Sequence, residues 1–379
     1  MRRFDRRWWR AVALGAALAI AGAGIFGGLF ALSGLYNVAA SREHFAITNA
    51  IIRLTLTRSV ETRSMGVEVP DLSDERLAAL GARHFAVGCV PCHASPGSKQ
   101  NPIVAEMYPA PPPLTEAAEK WDSEELFWIV KHGLKFTGMP SWPALERDDE
   151  IWALVAFLER LPASDAEDYA ALAGGQGEGD DASLDFGDGE GMTEALCESC
   201  HGNADARPVH PLAPALAGQK QAYLLRALEE YADGKRPSGM MQTIATALAH
   251  DELARLAGHY AQATSSAAPV GNPDVEAIAR GEQIARNGVR EDDVPACLAC
   301  HGEGTSAQFP RLDGLAPEYI STQLSLFRAG ARYRSTYSAI MRPIAERLSE
   351  RQIEDLAAYF ASLSRQPGPD ALPRPEASR

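Results

Sequence analysis

The six cysteines of the chain occur in three pairs with identical spacing. The pairs lie in CVPCH at 89–93, CESCH at 197–201 and CLACH at 297–301, and a histidine follows each pair directly. Two thiols at this spacing can both bond one porphyrin edge, and the next histidine can reach the iron from one side. The pattern predicts three covalently bound c-type haems. The predicted attachment residues are Cys89, Cys92, Cys197, Cys200, Cys297 and Cys300, and the predicted proximal iron ligands are His93, His201 and His301.

Three other interpretations of the cysteine pairs fit the pattern less well. A disulfide framework suits an exported protein, but it does not require a histidine after every pair. A thioredoxin-like redox motif belongs in a βαβ context, which the sequence lacks. Zinc needs a fourth ligand, and three separated Cys-Cys-His groups do not match the usual zinc spacings.

A methionine in each unit is the predicted distal iron ligand. After His301 the chain contains no further histidine, and Met341 is its only methionine. Alignment of the two C-terminal repeats places Met241, rather than Met240, opposite Met341. The first unit offers Met139 in FTGMPSW. The three methionines occupy the same place in each unit, which favours iron ligation over ordinary core packing.

Other residues around these sites remain open at this stage. Rival distal ligands are His132, His210, His250 and His259. A ligating histidine usually donates its second ring N–H to a carbonyl. The proline loops suggest that the carbonyls of Pro214 and Pro310 accept this bond in the second and third units. In the first unit we expect Pro113, with Pro111 and Pro112 as alternatives.

Amphipathic helices are predicted to close each unit, at 148–161, 250–263 and 349–363, because acidic first turns precede apolar residues at helical spacing. The second and third units are internal repeats. They share a P-x-L-x-G turn, a Tyr and a Leu of the middle helix, and a G-x-R segment at matching positions.

The N-terminal region predicts export. Five arginines and one aspartate precede residues 11–36, which carry no charge. As a helix this stretch would span about 39 Å, more than the roughly 30 Å hydrocarbon core of a bilayer. It predicts a transmembrane anchor with cytoplasmic arginines. A cleavable signal with Val38 and Ala40 near its cleavage site is the alternative, although its apolar core would normally be shorter.

The motifs of all three units resemble those of class I cytochrome c domains. Residues 186–365 resemble the dihaem cytochrome c4 type in CxxCHG, the P-x-L-x-G turn, G-x-R, the distal methionine and the LAGHY and LAAYF endings; the third unit departs from it in RLDGLA, which lacks the usual Gln. The first unit, with TGMPSW and IWALVAFLERLP, resembles a monohaem domain joined to a membrane anchor. The resemblance implies low-spin haems with His and Met ligands, electron transfer and a periplasmic location.

The resulting expectation is an all-α protein with one N-terminal transmembrane helix and three class I cytochrome c domains in tandem. The predicted segments are 1–40 (arginine-rich end and anchor), 41–69 (connecting segment), 70–162 (domain 1), 163–185 (acidic linker), 186–263 (domain 2), 264–274 (linker), 275–365 (domain 3) and 366–379 (disordered tail). The acidic run at 177–191 is interpreted as a solvated linker.

The expected function is electron transfer in a bacterial periplasmic respiratory chain, with a single-pass inner-membrane location. The partners would be a quinol-oxidising complex or dehydrogenase on one side and a terminal oxidase or reductase on the other. The alternative is a peroxidase-like haem enzyme with one displaceable distal ligand. A sensor is disfavoured because no signalling module follows the haem motifs. The formal net charge of −14 disfavours nucleic acid as a partner. No catalytic residue is assigned, and the sequence leaves the order of potentials open.

Overall fold

The computed structural model describes residues 6–174, 190–264, 274–332 and 334–364, and this part of the chain is all-α apart from one isolated bridge between Val289 and Val294. The helices are α1 (Arg6–Leu32), α2 (Ala46–Ser64), α3 (Glu75–Gly88), α4 (Val90–His93), α5 (Pro102–Ala105), α6 (Leu114–Ala117), α7 (Ser123–His132), α8 (Asp148–Leu158), α9 (Ala166–Ala173), α10 (Glu190–His201), α11 (Gln221–Ala232), α12 (Gly239–Thr246), α13 (His250–Gln262), α14 (Val275–Asn287), α15 (Leu298–His301), α16 (Pro317–Arg328), α17 (Thr336–Arg347) and α18 (Glu350–Ser362). The predicted all-α fold class is confirmed.

Helix α1 is long and apolar enough to cross a membrane, and none of its side chains is buried in the protein. It begins earlier than the predicted stretch 11–36, inside the arginine cluster. It ends at Leu32 because Gly34 adopts a φ of +69°, which lies outside the right-handed helical region. Helix α2 fills most of the predicted connecting segment and packs on α7 through its C-terminal half, where Val60 and Ser64 are buried.

We call α3–α9 unit 1, α10–α13 unit 2 and α14–α18 unit 3. In each unit the predicted closing helix is confirmed, as α8, α13 and α18. Helices α3 and α8 cross at Gly81, where an added Cβ would lie 1.9 Å from the carbonyl oxygen of Ala153. Helices α14 and α18 cross in the same way at Gly281, 2.0 Å from the carbonyl oxygen of Asp355. Glycine therefore permits the close contact between the first and the closing helix in units 1 and 3.

The hydrophobic cores of the units differ in size. Unit 1 has a large core around Phe85, Phe157 and Tyr169, and unit 3 has a separate core on α18. Unit 2 has only a small core around Leu224, Ala257 and Tyr260. Two more of its buried residues, Ala213 and Met240, pack into the core of unit 1 instead. Unit 2 therefore shares part of its apolar packing with unit 1.

The core of unit 1 extends past residue 162, where the sequence placed the start of an acidic linker. Helix α9 packs on α3, and Tyr169 is buried against Phe85 with ring centroids 5.9 Å apart. The capping box of Asp165 and Asp168 starts this helix. The acidic run at 177–189, most of the linker 264–274 and the tail after 364 lie outside the described residues.

Unit 2 contacts both other units. Toward unit 3, the side chain of Gln219 exchanges two hydrogen bonds with the backbone of Arg311, at 2.8 and 3.0 Å. The Lys220 ammonium donates to Thr305 Oγ1 and to the carbonyl of Ser306, both at 3.1 Å. Toward unit 1, helix α3 packs against α10 and α12. The three units thus meet in the order in which they occur in the sequence.

Candidate haem-binding sites

Each CxxCH motif forms one helical turn. The amide of His93 donates to the carbonyl of Cys89 at 2.9 Å, and the amide of His301 donates to that of Cys297 at the same distance. In unit 2 the motif is the last turn of α10. Residues three and four positions apart share one face of a helix, so both sulfurs and the imidazole are directed to the same side. This is the arrangement that attachment of one haem per motif requires.

Each of the three motif histidines donates a hydrogen bond to the carbonyl of a proline. Nδ1 of His201 donates to the carbonyl of Pro214 at 2.8 Å, and Nδ1 of His301 donates to that of Pro310 at 2.9 Å. Both predicted carbonyls are confirmed. In unit 1 the prediction of Pro113 is wrong, because Nδ1 of His93 donates to Pro112 at 2.9 Å.

Pro113 is the residue before α6, and its carbonyl accepts from the amides of Glu116 and Ala117. It is therefore already used by the helix. Gln100 holds the loop of Pro112 in place, since its Nε2 donates to the carbonyls of Cys92 at 2.7 Å and Pro111 at 3.0 Å. In all three units the bond from Nδ1 leaves Nε2 of the histidine available to iron.

Burial shifts the pKa values of these groups toward their neutral forms. It lowers the pKa of His201, so the imidazole is neutral and able to ligate a metal. It raises the pKa of Cys89 and of Cys197 to about 12. These are not the low-pKa thiols of a redox motif. None of the six cysteines forms a disulfide, and no three His, Cys, Asp or Glu side chains converge as a metal site within the described ranges.

A continuous, mostly apolar cavity joins units 2 and 3. From unit 2 it is lined by Cys197, Cys200, His201 and Met241. From unit 3 it is lined by Cys297, Cys300, His301 and Met341. The cavity thus brings together all the residues that the sequence assigned to these two sites.

Met240 also lines the cavity, but its side chain is directed to unit 1. It is buried with the core of that unit, and its Cε would lie 3.5 Å from a Cβ added at Gly88. Met241 is the neighbour that stays on the unit 2 side, in the first turn of α12. This packing agrees with the alignment that favoured Met241.

Unit 1 holds its motif residues apart from this cavity. Cys92 is exposed, whereas Cys89, His93 and Met139 are half-buried. Met139 lies in a turn in which its amide donates to Thr137 Oγ1 at 3.0 Å. Met107 was not considered from the sequence, yet its Cε would lie 2.1 Å from a Cβ at Gly138, directly before Met139. The position of Met107 in the sequence does not indicate that it lies next to the predicted ligand.

The rival histidines are placed elsewhere. His210, His250 and His259 do not line the cavity, and each lies near a carboxylate: His210 at 3.7 Å from Asp74, His250 at 3.4 Å from Glu229, and His259 at 3.7 Å from Glu194. His132 is exposed, at the end of α7, with its ring 5.0 Å from that of Trp128. None of the three in unit 2 lines the cavity beside Met241.

Two arginines line the cavity, Arg236 buried and Arg332 half-buried, and their charges fit a dianionic cofactor. Arg236 donates to the hydroxyls of Tyr223 at 3.2 Å and Tyr319 at 3.0 Å, and Arg332 donates to Gln323 Oε1 at 2.6 Å. In the described part of the chain neither is paired with a carboxylate. Burial and the charge of Arg236 lower the pKa of Arg332 to about 10. Buried cations without anions are costly, and haem propionates would supply the missing charge.

Comparisons with known proteins agree with this geometry. Residues 76–158 match the family model for subunit III of cbb3-type cytochrome c oxidase, and residues 278–364 match the cytochrome c model. Cytochrome c4 of Pseudomonas aeruginosa is 37% identical over 173 residues, which cover 45% of this chain and 84% of that protein. Cytochrome c4 of Azotobacter vinelandii is 36% identical over 199 residues, covering 48% and 90%. A thiosulfate dehydrogenase electron acceptor of Stutzerimonas stutzeri is 35% identical over 178 residues, covering 44% and 78%.

The helical fold and the CxxCH turns with carbonyl-bound histidines define a c-type cytochrome, in which haem is bound covalently and electrons are transferred. The chain belongs to the cytochrome c4 family, and it adds to the dihaem pattern a domain of the cbb3 subunit III type. The resemblance stated from the sequence is confirmed.

Proposed function

We propose that this protein is a membrane-anchored trihaem cytochrome that carries electrons in a bacterial periplasmic respiratory chain. The observation that carries the proposal is that all three CxxCH turns present a histidine whose Nδ1 is held by a proline carbonyl, at 2.8–2.9 Å. Bound haem supplies an iron that alternates between the ferric and ferrous states. The chain's own residues attach it, ligate it and exclude solvent from it.

The proposed ligand sets are His93 with Met139, His201 with Met241, and His301 with Met341. Two protein ligands leave no iron position for a substrate, which suits electron transfer rather than catalysis. A thioether ligand also raises the iron potential relative to a second imidazole. The cysteine pairs at 89/92, 197/200 and 297/300 attach one haem each. Domains 70–162, 186–263 and 275–365 are the proposed haem-binding domains.

The proposed partners are other redox proteins. One relative is named as the electron acceptor of a thiosulfate dehydrogenase, which supports a dehydrogenase as donor. Unit 1 matches a subunit of a terminal oxidase, which supports an oxidase as acceptor. We therefore place the protein between a dehydrogenase or quinol-oxidising complex and a terminal oxidase or reductase.

The amino-terminal helices support anchoring at the inner membrane. Phe30, near the end of α1, contacts Tyr36 with ring centroids 6.5 Å apart, and Tyr36 contacts Phe45 at 5.7 Å, directly before α2. Helix α2 exposes Ile47 and Ile51 on the face opposite its packing on α7. Aromatic rings and exposed apolar residues at this level suit the membrane–water interface.

We expect removal of residues 1–36, with a cleavable signal supplied in their place, to give a soluble, haem-loaded periplasmic protein. The reason is that α1 buries no side chain in the rest of the protein, so the remaining fold loses little packing. Fractionation of cells that produce the full-length and shortened proteins measures the effect. The anchor assignment fails if cells that produce the full-length chain yield a soluble protein that has been cleaved near Ser41.

We expect the fully reduced wild-type protein to resist carbon monoxide at all three irons. Each sixth position is filled by a protein side chain under the proposal, so the exogenous ligand has to displace it. Optical titration with carbon monoxide at neutral pH is the measurement. Rapid binding at one site in the native protein would favour the alternative, a peroxidase-like enzyme with a displaceable ligand.

A further inference from the structure

A buried carboxylate of unit 1 reaches into unit 2. Glu150 lies in the first turn of α8 and is 5% exposed. It accepts hydrogen bonds from the hydroxyl of Ser238 at 2.5 Å and from the amide of Gly239 at 2.7 Å. Ser238 is the N-cap of α12, and Gly239 is the first residue of that helix. The unpaired amides at a helix N-terminus favour a negative charge, so this carboxylate stabilises the start of α12.

The remaining partners of Glu150 come from its own unit. Trp142 Nε1 donates to it at 3.0 Å, and the Arg147 guanidinium pairs with it at 2.9 Å. Arg147 also binds both carboxylate oxygens of Asp149, at 2.8 and 2.7 Å, and donates to the carbonyl of Pro237 at 3.3 Å. All four groups around Glu150 are donors. The carboxylate is therefore held rigidly in unit 1 while it binds the N-terminus of a helix in unit 2.

A second contact joins the same two segments. A Cβ added at Gly239 would lie 2.2 Å from Cε2 of Trp142, so only glycine fits against this ring. Trp142 follows Met139 by three residues, and Gly239 precedes Met241 by two. The methionine-bearing segments of units 1 and 2 therefore lie against each other.

Unit 3 provides an internal comparison. Its methionine-bearing helix α17 is capped by its own Ser335, whose side chain accepts from the amide of Ser338 at 3.2 Å, just as Ser238 caps α12 by accepting from the amide of Met241 at 3.0 Å. Glu150 has no counterpart there among the described contacts of α17 with other units. Helix α12 also begins three residues later relative to its methionine than α17 does. Met241 is thus nearer the N-terminus of its helix, where the position of a side chain depends more on the N-cap.

We propose that Glu150 of unit 1 is a positioning residue for Met241 of unit 2. By binding Ser238 and Gly239 it fixes the first turn of α12 and so the thioether that this turn presents. The inference rests on the proposed role of Met241 as an iron ligand. Under this proposal, the position of Met241 at the second haem site depends on the contact between units 1 and 2.

The test uses the full-length holoprotein with Glu150→Gln, which keeps the size of the side chain. One oxygen of Glu150 binds Ser238 and Arg147, and the other binds Trp142 and Gly239. Glutamine keeps only one accepting oxygen, so the first turn of α12 loses one of its two hydrogen bonds to unit 1. We expect a loss of up to about one third of the far-red ferric band that reports iron–sulfur bonds, one site of three, and carbon monoxide binding at that site. Gly239→Ala should displace the Trp142 ring and so disturb the second contact between the two segments. We expect the same loss of the iron–sulfur band in this variant.

Asp355→Asn is the matched control. Asp355 is 4% exposed and bound by Arg280 at 2.8 and 2.6 Å, but it belongs to α18, and these two bonds do not involve a methionine-bearing helix. We expect this variant to lower the unfolding temperature and to leave the iron–sulfur band unchanged. An equal loss of the band in the control would overturn the positioning role, as would an unchanged band in both Glu150→Gln and Gly239→Ala.

Met241→Ala separates this inference from the proposed function. If its band falls by about one third while Glu150→Gln and Gly239→Ala keep theirs, Met241 is a ligand and the positioning role is wrong. If Met241→Ala also keeps the full band, the ligand assignment of unit 2 is wrong and the positioning role with it.

Discussion

Met341→Ala is expected to open the iron of unit 3 and to let that site bind carbon monoxide, while the other two sites stay closed. The far-red iron–sulfur band should fall by about one third. Alanine removes the only methionine after His301, and no histidine follows that residue. Ile340 and Ile344 line the cavity beside Met341. Unit 3 has no second methionine, no second histidine and no lysine that could refill the position.

Met341→His provides the contrast to the alanine variant. Imidazole can fill the sixth position, so carbon monoxide should bind slowly or not at all. The potential of this one site should fall, because imidazole favours the ferric state more than a thioether does. Redox titration of wild type and variant gives the shift directly, with the two unchanged sites as internal references.

Lysine is a possible substitute ligand in the alanine variant. The last lysine in the sequence is Lys235, in unit 2. The fold brings Lys220 to unit 3, but its ammonium is bound to Thr305 and Ser306, just after His301. It therefore approaches unit 3 from the segment that follows the CxxCH motif. A Met341→Ala protein that kept its full band and refused carbon monoxide would show that Met341 is a core residue.

Met139→Ala should behave less cleanly than Met341→Ala. Met107 lies against Gly138, beside the predicted ligand, and offers a second thioether to the same region. We expect a smaller loss of the iron–sulfur band here. Combining Met139→Ala with Met107→Ala should restore the full loss for one site.

Changing Cys297 and Cys300 together to alanine is expected to lower the covalent haem content from three per chain to two. Both thioether bonds of one site are then lost, and the other two motifs are intact. A pyridine haemochrome assay after acid–acetone extraction counts what remains bound. A count of one or two in the wild-type protein would contradict the assignment of at least one motif.

The same change should unfold mainly unit 3. Its core around Leu356 and Phe360 is separate from that of unit 1, and Cys297 packs against it. The corresponding change in unit 2, at Cys197 and Cys200, should damage the protein more widely. Unit 2 has a small core of its own and shares Met240 with unit 1. Domains with separate cores unfold largely as units, whereas a unit that shares its packing does not.

Thermal unfolding followed at the haem absorption and by far-ultraviolet circular dichroism distinguishes these outcomes. The unit 3 variant should retain a cooperative transition close to that of wild type for the remaining helices. The unit 2 variant should lose cooperativity across the chain. Equal effects of the two changes would show that the small core of unit 2 is not what limits its independence.

The sequence alone was enough to predict the haem-attachment motifs and to determine the helices that bear them. Cofactor attachment depends on residues within one helical turn, so the spacing in CESCH and CLACH was sufficient to predict it. The closing helices were predictable because their apolar residues recur at helical spacing. The carbonyls of Pro214 and Pro310 followed from the repeat, since both loops carry the P-x-L-x-G turn at matching positions.

Only the tertiary structure decided how the units meet and which group serves each site across a loop. Pro112, rather than Pro113, binds His93 because α6 already uses the carbonyl of Pro113. Glu150 reaches Ser238 across 88 residues of sequence, and Arg236 reaches Tyr319 across 83. Contacts of this kind cannot be predicted from the periodicity of the sequence, because the residues around each partner follow an ordinary helix or loop pattern. Their free energy depends on burial and on the removal of water, which are set only when the units pack.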